Sequence, residues 1–345
     1  MTLNRTASLI IVLIGILFVM VVAKNFLIPI VMALCIWYII VTISKGISRI
    51  RLGKLSLSPT LSTILATVVI MVAILFSIEI IVQSVERMVD AAPSYQQRFD
   101  DLIIKVLTLF NMEQLPSFAQ ILKGIDLKPL LAQVGGMLSG IAGNILLVII
   151  YTIFLLLEQR MIPHKWKASF SSKGNFLQAN QTMKRVSNSI REYLSVKTGM
   201  SLLTGGASYL VMILVGLDFA IFWAFLIFLL NFVPNIGSLI ATAFPVLFSL
   251  LQFDTLTETF ILLGAISLIQ FAVSNFLEPR LLGNALNISG LVVLISLSLW
   301  GGIWGIIGMV LSVPLTVALM IILSQFPSTR VVAVWLSADG EVSQH

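Results

Sequence analysis

Between Phe219 and Gln252 two apolar runs meet at Asn231-Phe232-Val233-Pro234-Asn235-Ile236-Gly237, and neither run is long enough to cross a membrane. As helices, Phe219 to Leu230 would span about 18 Å and Ser238 to Leu251 about 21 Å, against a hydrocarbon core of roughly 30 Å. The junction cannot continue a helix. Pro234 lacks an amide hydrogen and disfavours αR at Val233, Gly237 admits positive φ, and Asn231 and Asn235 can occupy backbone groups that the break frees. Open backbone at membrane depth survives only inside protein or beside a water-filled cavity. The stretch therefore reads either as a broken or re-entrant hairpin at a translocation site, or as two tilted helices joined by a shallow turn at the membrane surface.

The rest of the chain supplies the membrane that this element needs. With 58% hydrophobic and 10% charged residues it departs far from soluble domains, which carry roughly 25% charge. An all-α polytopic membrane protein is expected, with about eight transmembrane helices if the broken element re-enters and about ten if it crosses twice. Arg5 precedes the apolar run Ala7–Ala23, but no small-residue cleavage site follows, so the first helix is expected to stay. Cys35 is the single cysteine, which excludes an intrachain disulfide.

The N-terminal membrane helices (1–82) open with a tight hairpin, Ala7–Ala23 and Phe26–Ile43. The next loop carries Lys45, Arg49, Arg51 and Lys54 without an acid, which places it and both termini in the cytoplasm by the positive-inside rule. A third span, Leu61–Val82, leads into residues 83–134, where five bases meet six acids. That segment reads as a small external helical region, divided into short helices by Pro93, Pro116 and Pro129 and packed on the membrane part or a neighbouring subunit.

A membrane helix (135–157) with small residues at its start precedes a basic cytoplasmic segment (158–197) holding eight bases and two acids. Phospholipid headgroups account for such a face, and no aromatic-interleaved module points to nucleic acid. The C-terminal membrane core (198–325) contains the broken element, a second interruption at Asn275-Phe276-Leu277-Glu278-Pro279-Arg280, and a last hairpin expected to turn at Trp300-Gly301-Gly302. A short cytoplasmic tail (326–345) follows, with Val331–Leu336 suited to the membrane surface.

Two histidines, His164 and His345, with no cysteine pair and no HExxH, leave no metal centre. No histidine accompanies a membrane serine as a hydrolase would need, and no phosphate-cradling glycine loop is present. A transporter without cofactor or catalytic residues is the expectation. The polar groups at membrane depth are its site candidates. Asn231, Pro234, Asn235, Gly237, Gln270, Ser274 and Asn275 are candidates for the substrate path. Gln270 and Ser274 share a helix face, and Glu278 and Arg280 are candidates for coupling or gating, as an ion pair with each other, a titrating site or a loop pair.

The motifs N-F-V-P-N-I-G at 231–237, L-E-P-R-L-L-G at 277–283 and G-M-V-L-S-V-P-L-T at 308–316, in that order, resemble the autoinducer-2 exporter family of bacterial membrane proteins. The resemblance covers nearly the whole chain. It implies a bacterial inner-membrane secondary transporter exporting the quorum-sensing signal autoinducer-2 or a similar small polar metabolite. For other members it implies exchange of sodium or lithium for protons. It also implies a homo-oligomer, with a pentamer expected. A non-transporting scaffold or sensor using the external helices is the remaining alternative.

Overall fold

The computed structural model describes the backbone of residues 3–49, 51–52, 55–56, 58–109, 127–282 and 287–341. Lys54, Pro116, Gly283 and His345, named above, lie outside them. Among the described residues the secondary structure is helical apart from two short paired strands, Arg51–Leu52 with Leu55–Ser56, and one isolated bridge. In order the helices are α1 (Leu3–Val22), α2 (Lys24–Arg49), α3 (Pro59–Leu109), α4 (Leu127–Glu158), α5 (Ile162–Ala168), α6 (Lys173–Val215), α7 (Ala220–Leu230), α8 (Ile236–Gln252) and α9 (Leu256–Ala272). A π-helical turn (Val273–Leu277), α10 (Glu278–Leu282), α11 (Gly290–Ser324) and α12 (Arg330–Leu336) complete it.

Among the described residues five helices are long and apolar enough to cross a membrane, or six if the pair 145–158 and 162–168, bent by 70°, is one span. The chain is an all-α polytopic membrane protein. α2, α3 and α4 pack on one another. α6 runs through the other half and touches α2, α7, α9 and α11. Helix α3 passes through Pro93 without stopping, so that proline does not divide the polar region after the third span. Pro129 sits in the first turn of α4, where its missing amide hydrogen has no helical partner to lose.

The far end of α3 is tied to the broken element. Tyr95 Oη donates to Asp218 Oδ2 at 2.8 Å, Asp218 N donates to Gln252 Oε1 at 2.7 Å, and Gln252 Nε2 donates to Gly216 O at 2.8 Å. Gly216 ends α6 at φ 82°, its N–H turned back to Ile213 O while Leu217 N reaches Met212 O, the doubled closure that glycine permits at a helix C-terminus. Around this knot the rings of Tyr95, Trp223 and Phe248 pack with Met88, Met212, Ile227, Leu262 and Ile266. Tyr95→Phe is expected to lower the unfolding free energy by about 1 kcal/mol, because Asp218 keeps water while the ring keeps its contacts. A thermal melt in detergent measures it.

α11 is one helix by trace but not by geometry. Gly305 has φ 64° and ψ −144°, outside the helical region, and Val293 packs with Val313 and Val317. The chain reverses there. Trp300 Nε1 donates to Thr316 Oγ1 at 3.0 Å across the two limbs, and Trp304 Nε1 donates to Met20 O at 3.0 Å in α1. The expected hairpin is present, but it turns at Gly305, three residues beyond Gly302, because the glycine that must adopt positive φ is the later one.

Past α11 the chain returns toward the foot of this hairpin. Ala333 of α12 is fully buried, whereas Val331, Val332 and Trp335 are exposed. Ser337 pairs with Ile288 as an isolated bridge, and Asn287 Nδ2 donates to Asp339 Oδ1 at 2.8 Å. The Asn287 amide and the Glu341 N–H hold the Asp339 carboxyl below the usual carboxylate range. The Asp339 share of this clasp is therefore complete at neutral pH and fades as pH falls through that lowered pKa, while the Ser337–Ile288 bridge does not titrate.

Candidate functional site

The break between α7 and α8 is built from short-range bonds. Asn231 N donates to Ile227 O and Val233 N to Leu230 O, after which Pro234 has no hydrogen to give. Ile236 N then donates to Pro234 O at 2.6 Å, and Asn235 between them has φ 58° and ψ −57°. That is the rare positive-φ γ-turn, a strained form that only the surrounding structure can hold in place. Gly237 follows where α8 passes the end of α7. A Cβ built on it would stand 1.8 Å from Leu230 O, so no other residue fits.

A second break faces the first. Pro279 deprives the Asn275 carbonyl of its i+4 donor, and the helix widens to a π-turn over Val273–Leu277 before Glu278 begins α10. Asn275 itself turns away, its Nδ2 donating to Phe271 O at 3.0 Å.

Between the two breaks lies a cavity of about 220 Å³. Asn231, Pro234 and Asn235 line it from the hairpin tip, Ser274 and Glu278 from the π-turn and α10, and Tyr193, Lys197 and Ser201 from α6. Ile288, Val293 and Val313 close the side toward α11. Taking about 30 Å³ as one water's share of liquid volume, the space suits a solute of several heavy atoms.

The charged centre of this cavity is not a Glu278–Arg280 pair. Glu278 Oε1 lies 2.6 Å from Lys197 Nζ, with the lysine side chain 10% and the glutamate side chain 18% exposed. Residues 278 and 280 are on different sides of a short helix, and Arg280 is exposed. Lys197 was absent from the sequence-based candidates because it stood at the end of the basic segment 158–197. The spacing Lys197, Ser201, Thr204, Ser208 is helical, however, and all four are buried. That polar stripe was the available signal.

Several polar atoms here have no protein partner: Tyr193 Oη, Ser201 Oγ and both amide atoms of Gln270. Gln270 is 6% exposed and stands one turn before Val273, outside the cavity lining. Of the substrate-path candidates, then, Asn231, Pro234, Asn235 and Ser274 meet at one cavity. Gly237 supports them from behind, Gln270 is buried nearby, and Asn275 faces elsewhere. Among the described residues no group of His, Cys, Asp and Glu could hold a metal ion.

Comparison with known proteins identifies the family. The family described as "AI-2E family transporter" matches residues 8–328. "Putative transport protein YhhT" of Escherichia coli (strain K12) is 32% identical over 246 residues, 69% of this chain and 68% of that protein. A protein of Haemophilus influenzae designated in the same terms is 34% identical over 73% of this chain and 74% of its own length. "AI-2 transport protein TqsA" of Escherichia coli (strain K12) is 36% identical over 58% of this chain and 57% of that protein. A match across nearly the entire chain, on a helical membrane fold with a polar cavity between two broken helices, establishes that the chain belongs to the AI-2E family of transporters.

Proposed function

We propose that the protein is a secondary exporter of autoinducer-2 or a similar small polar metabolite, seated in the bacterial inner membrane with both termini cytoplasmic and working as a homo-oligomer. The observation that carries this reading is the cavity. Its hairpin tip, π-turn and α6 stripe present amide, hydroxyl and charged groups to one space, and such groups replace the water that a small polar solute gives up. The name of the relative TqsA supports the choice of autoinducer-2 over other solutes of that size. The basic loops around Lys45 and Lys165 support the orientation.

A second reading, sodium- or lithium-for-proton exchange, draws on one feature. A carboxylate paired with a lysine at the cavity is the charged group that an exchanged cation or proton would meet there. The two readings separate in proteoliposomes loaded with labelled autoinducer-2 and a pH-sensitive dye. Wild-type protein is expected to release the signal, with Glu278→Gln slower, and to show no sodium-driven proton movement. Sodium-dependent proton flux that disappears in Glu278→Gln, with no release of signal, would transfer the assignment to exchange.

A further inference from the structure

Where α2 crosses α6, Thr42 Oγ1 and Ser195 Oγ come within 3.5 Å. Over the next two turns toward the basic end the two helices present Lys45 and Arg49 from α2 and, one turn on, Arg191 from α6. Arg191 and Arg49 both lie near enough to Lys45 to repel its charge. Among the described residues no ion pair includes any of the three. The adjacent acid, Glu192, is exposed and follows Arg191 by one residue, so it points about 100° around the helix.

Arg191 is also fixed in place. Its guanidinium carbon lies 5.9 Å from the centre of the Tyr38 ring, and its Nε is buried without a protein partner. A half-buried guanidinium held over an aromatic face, with a donor unsatisfied and two cations beside it, lacks an anion. Beside it Trp37 and Tyr38 have ring centres 4.9 Å apart at a tilt of 52°, and Trp37 Nε1 donates to Gln159 Oε1 just past α4; tryptophan and tyrosine concentrate at membrane interfaces, which supports a site at headgroup level.

We propose that Lys45, Arg49 and Arg191 form a phosphate-binding site at the α2–α6 crossing, occupied by the phosphodiester of an anionic phospholipid. The arginine supplies a planar fork for two phosphate oxygens, and the lysine and second arginine supply charge. The cavity described above plays no part, so the site stands whatever the transported solute is.

The test uses the full chain in vesicles of phosphatidylcholine with and without phosphatidylglycerol, with a spin-labelled phosphatidylglycerol reporting the fraction of lipid held at the protein surface. Wild type is expected to retain phosphatidylglycerol over phosphatidylcholine. Each neutralised base, Lys45→Gln, Arg49→Gln or Arg191→Gln, weakens that preference about fivefold, whereas Lys173→Gln at the exposed start of α6 leaves it unchanged. Arg49 is exposed, so its variant folds even if Arg191→Gln does not. If inorganic phosphate added to phosphatidylcholine vesicles displaces the labelled lipid, the chemistry is confirmed and the natural source is a free phosphate. Equal losses for Lys173→Gln and Arg191→Gln, or no loss in the triple variant, would overturn the site in favour of diffuse surface charge.

Discussion

Lys197→Met is expected to lower the unfolding free energy by about 3–5 kcal/mol and to reduce transport to background, because it leaves Glu278, with its side chain 18% exposed, without its counter-ion. The pair is 2.6 Å apart, with both side chains less than one-fifth exposed, so the attraction is weakly screened and both ions have lost much of their hydration. Removing one partner is worse than removing both. The double variant Lys197→Met/Glu278→Gln is therefore expected to recover most of the lost stability, since replacing a buried pair by groups without charge is often neutral.

Transport and stability then separate. If the pair serves only to hold α6 against α10, the double variant transports as the wild type does. If the ions contact the solute or carry a proton, it stays inactive although folded. Thermal unfolding in detergent together with efflux from proteoliposomes decides between these. A single Lys197→Met variant as stable as the wild type would show that the pair is solvated after all.

The two breaks and their pairing were legible in the sequence, and the lysine that joins them was not. Pro234 and Gly237, and Pro279 with its neighbours, act on backbone bonds within four residues, so a linear reading captures them. Lys197 belongs to a different kind of information. Its partner stands 81 residues away, and the charges preceding it in sequence suggested a solvated segment that ends where the membrane begins. The structure instead continues one helix, α6, from Lys173 to Val215 through that boundary, and the buried stripe on it makes Lys197 part of the site and not the last residue of a loop. For the same reason the ion-pair alternative for Glu278 and Arg280 does not hold: nearness in sequence is not nearness across a helix. The turn at Gly305 lay among four glycines from 301 to 308, and composition alone does not say which of them takes positive φ.

Close packing decides the second large effect. Gly237→Ala is expected to destabilise the protein by more than about 3 kcal/mol and to abolish transport, because a single added carbon would lie 1.8 Å from Leu230 O and 3.0 Å from the Val233 side chain. Backbone cannot yield there without reopening the hairpin. Its tip is held by the bonds of Val233 to Leu230 and of Gly237 to Val233, and α7 is pinned at the other end by Gln252 and Tyr95. The second hairpin shows the same construction. A Cβ on Gly308 would stand 1.9 Å from Trp300 O, so Gly308→Ala is expected to behave alike. Gly206→Ala is the control, since nothing lies within 4 Å of its built Cβ, and there alanine's better helix propensity is expected to leave stability unchanged or raise it by up to about 1 kcal/mol. Melting curves of the three variants measure this. A Gly237→Ala protein that melts with the wild type would mean that α7 and α8 are not closed on each other at the tip, and the cavity beneath them would lose its roof.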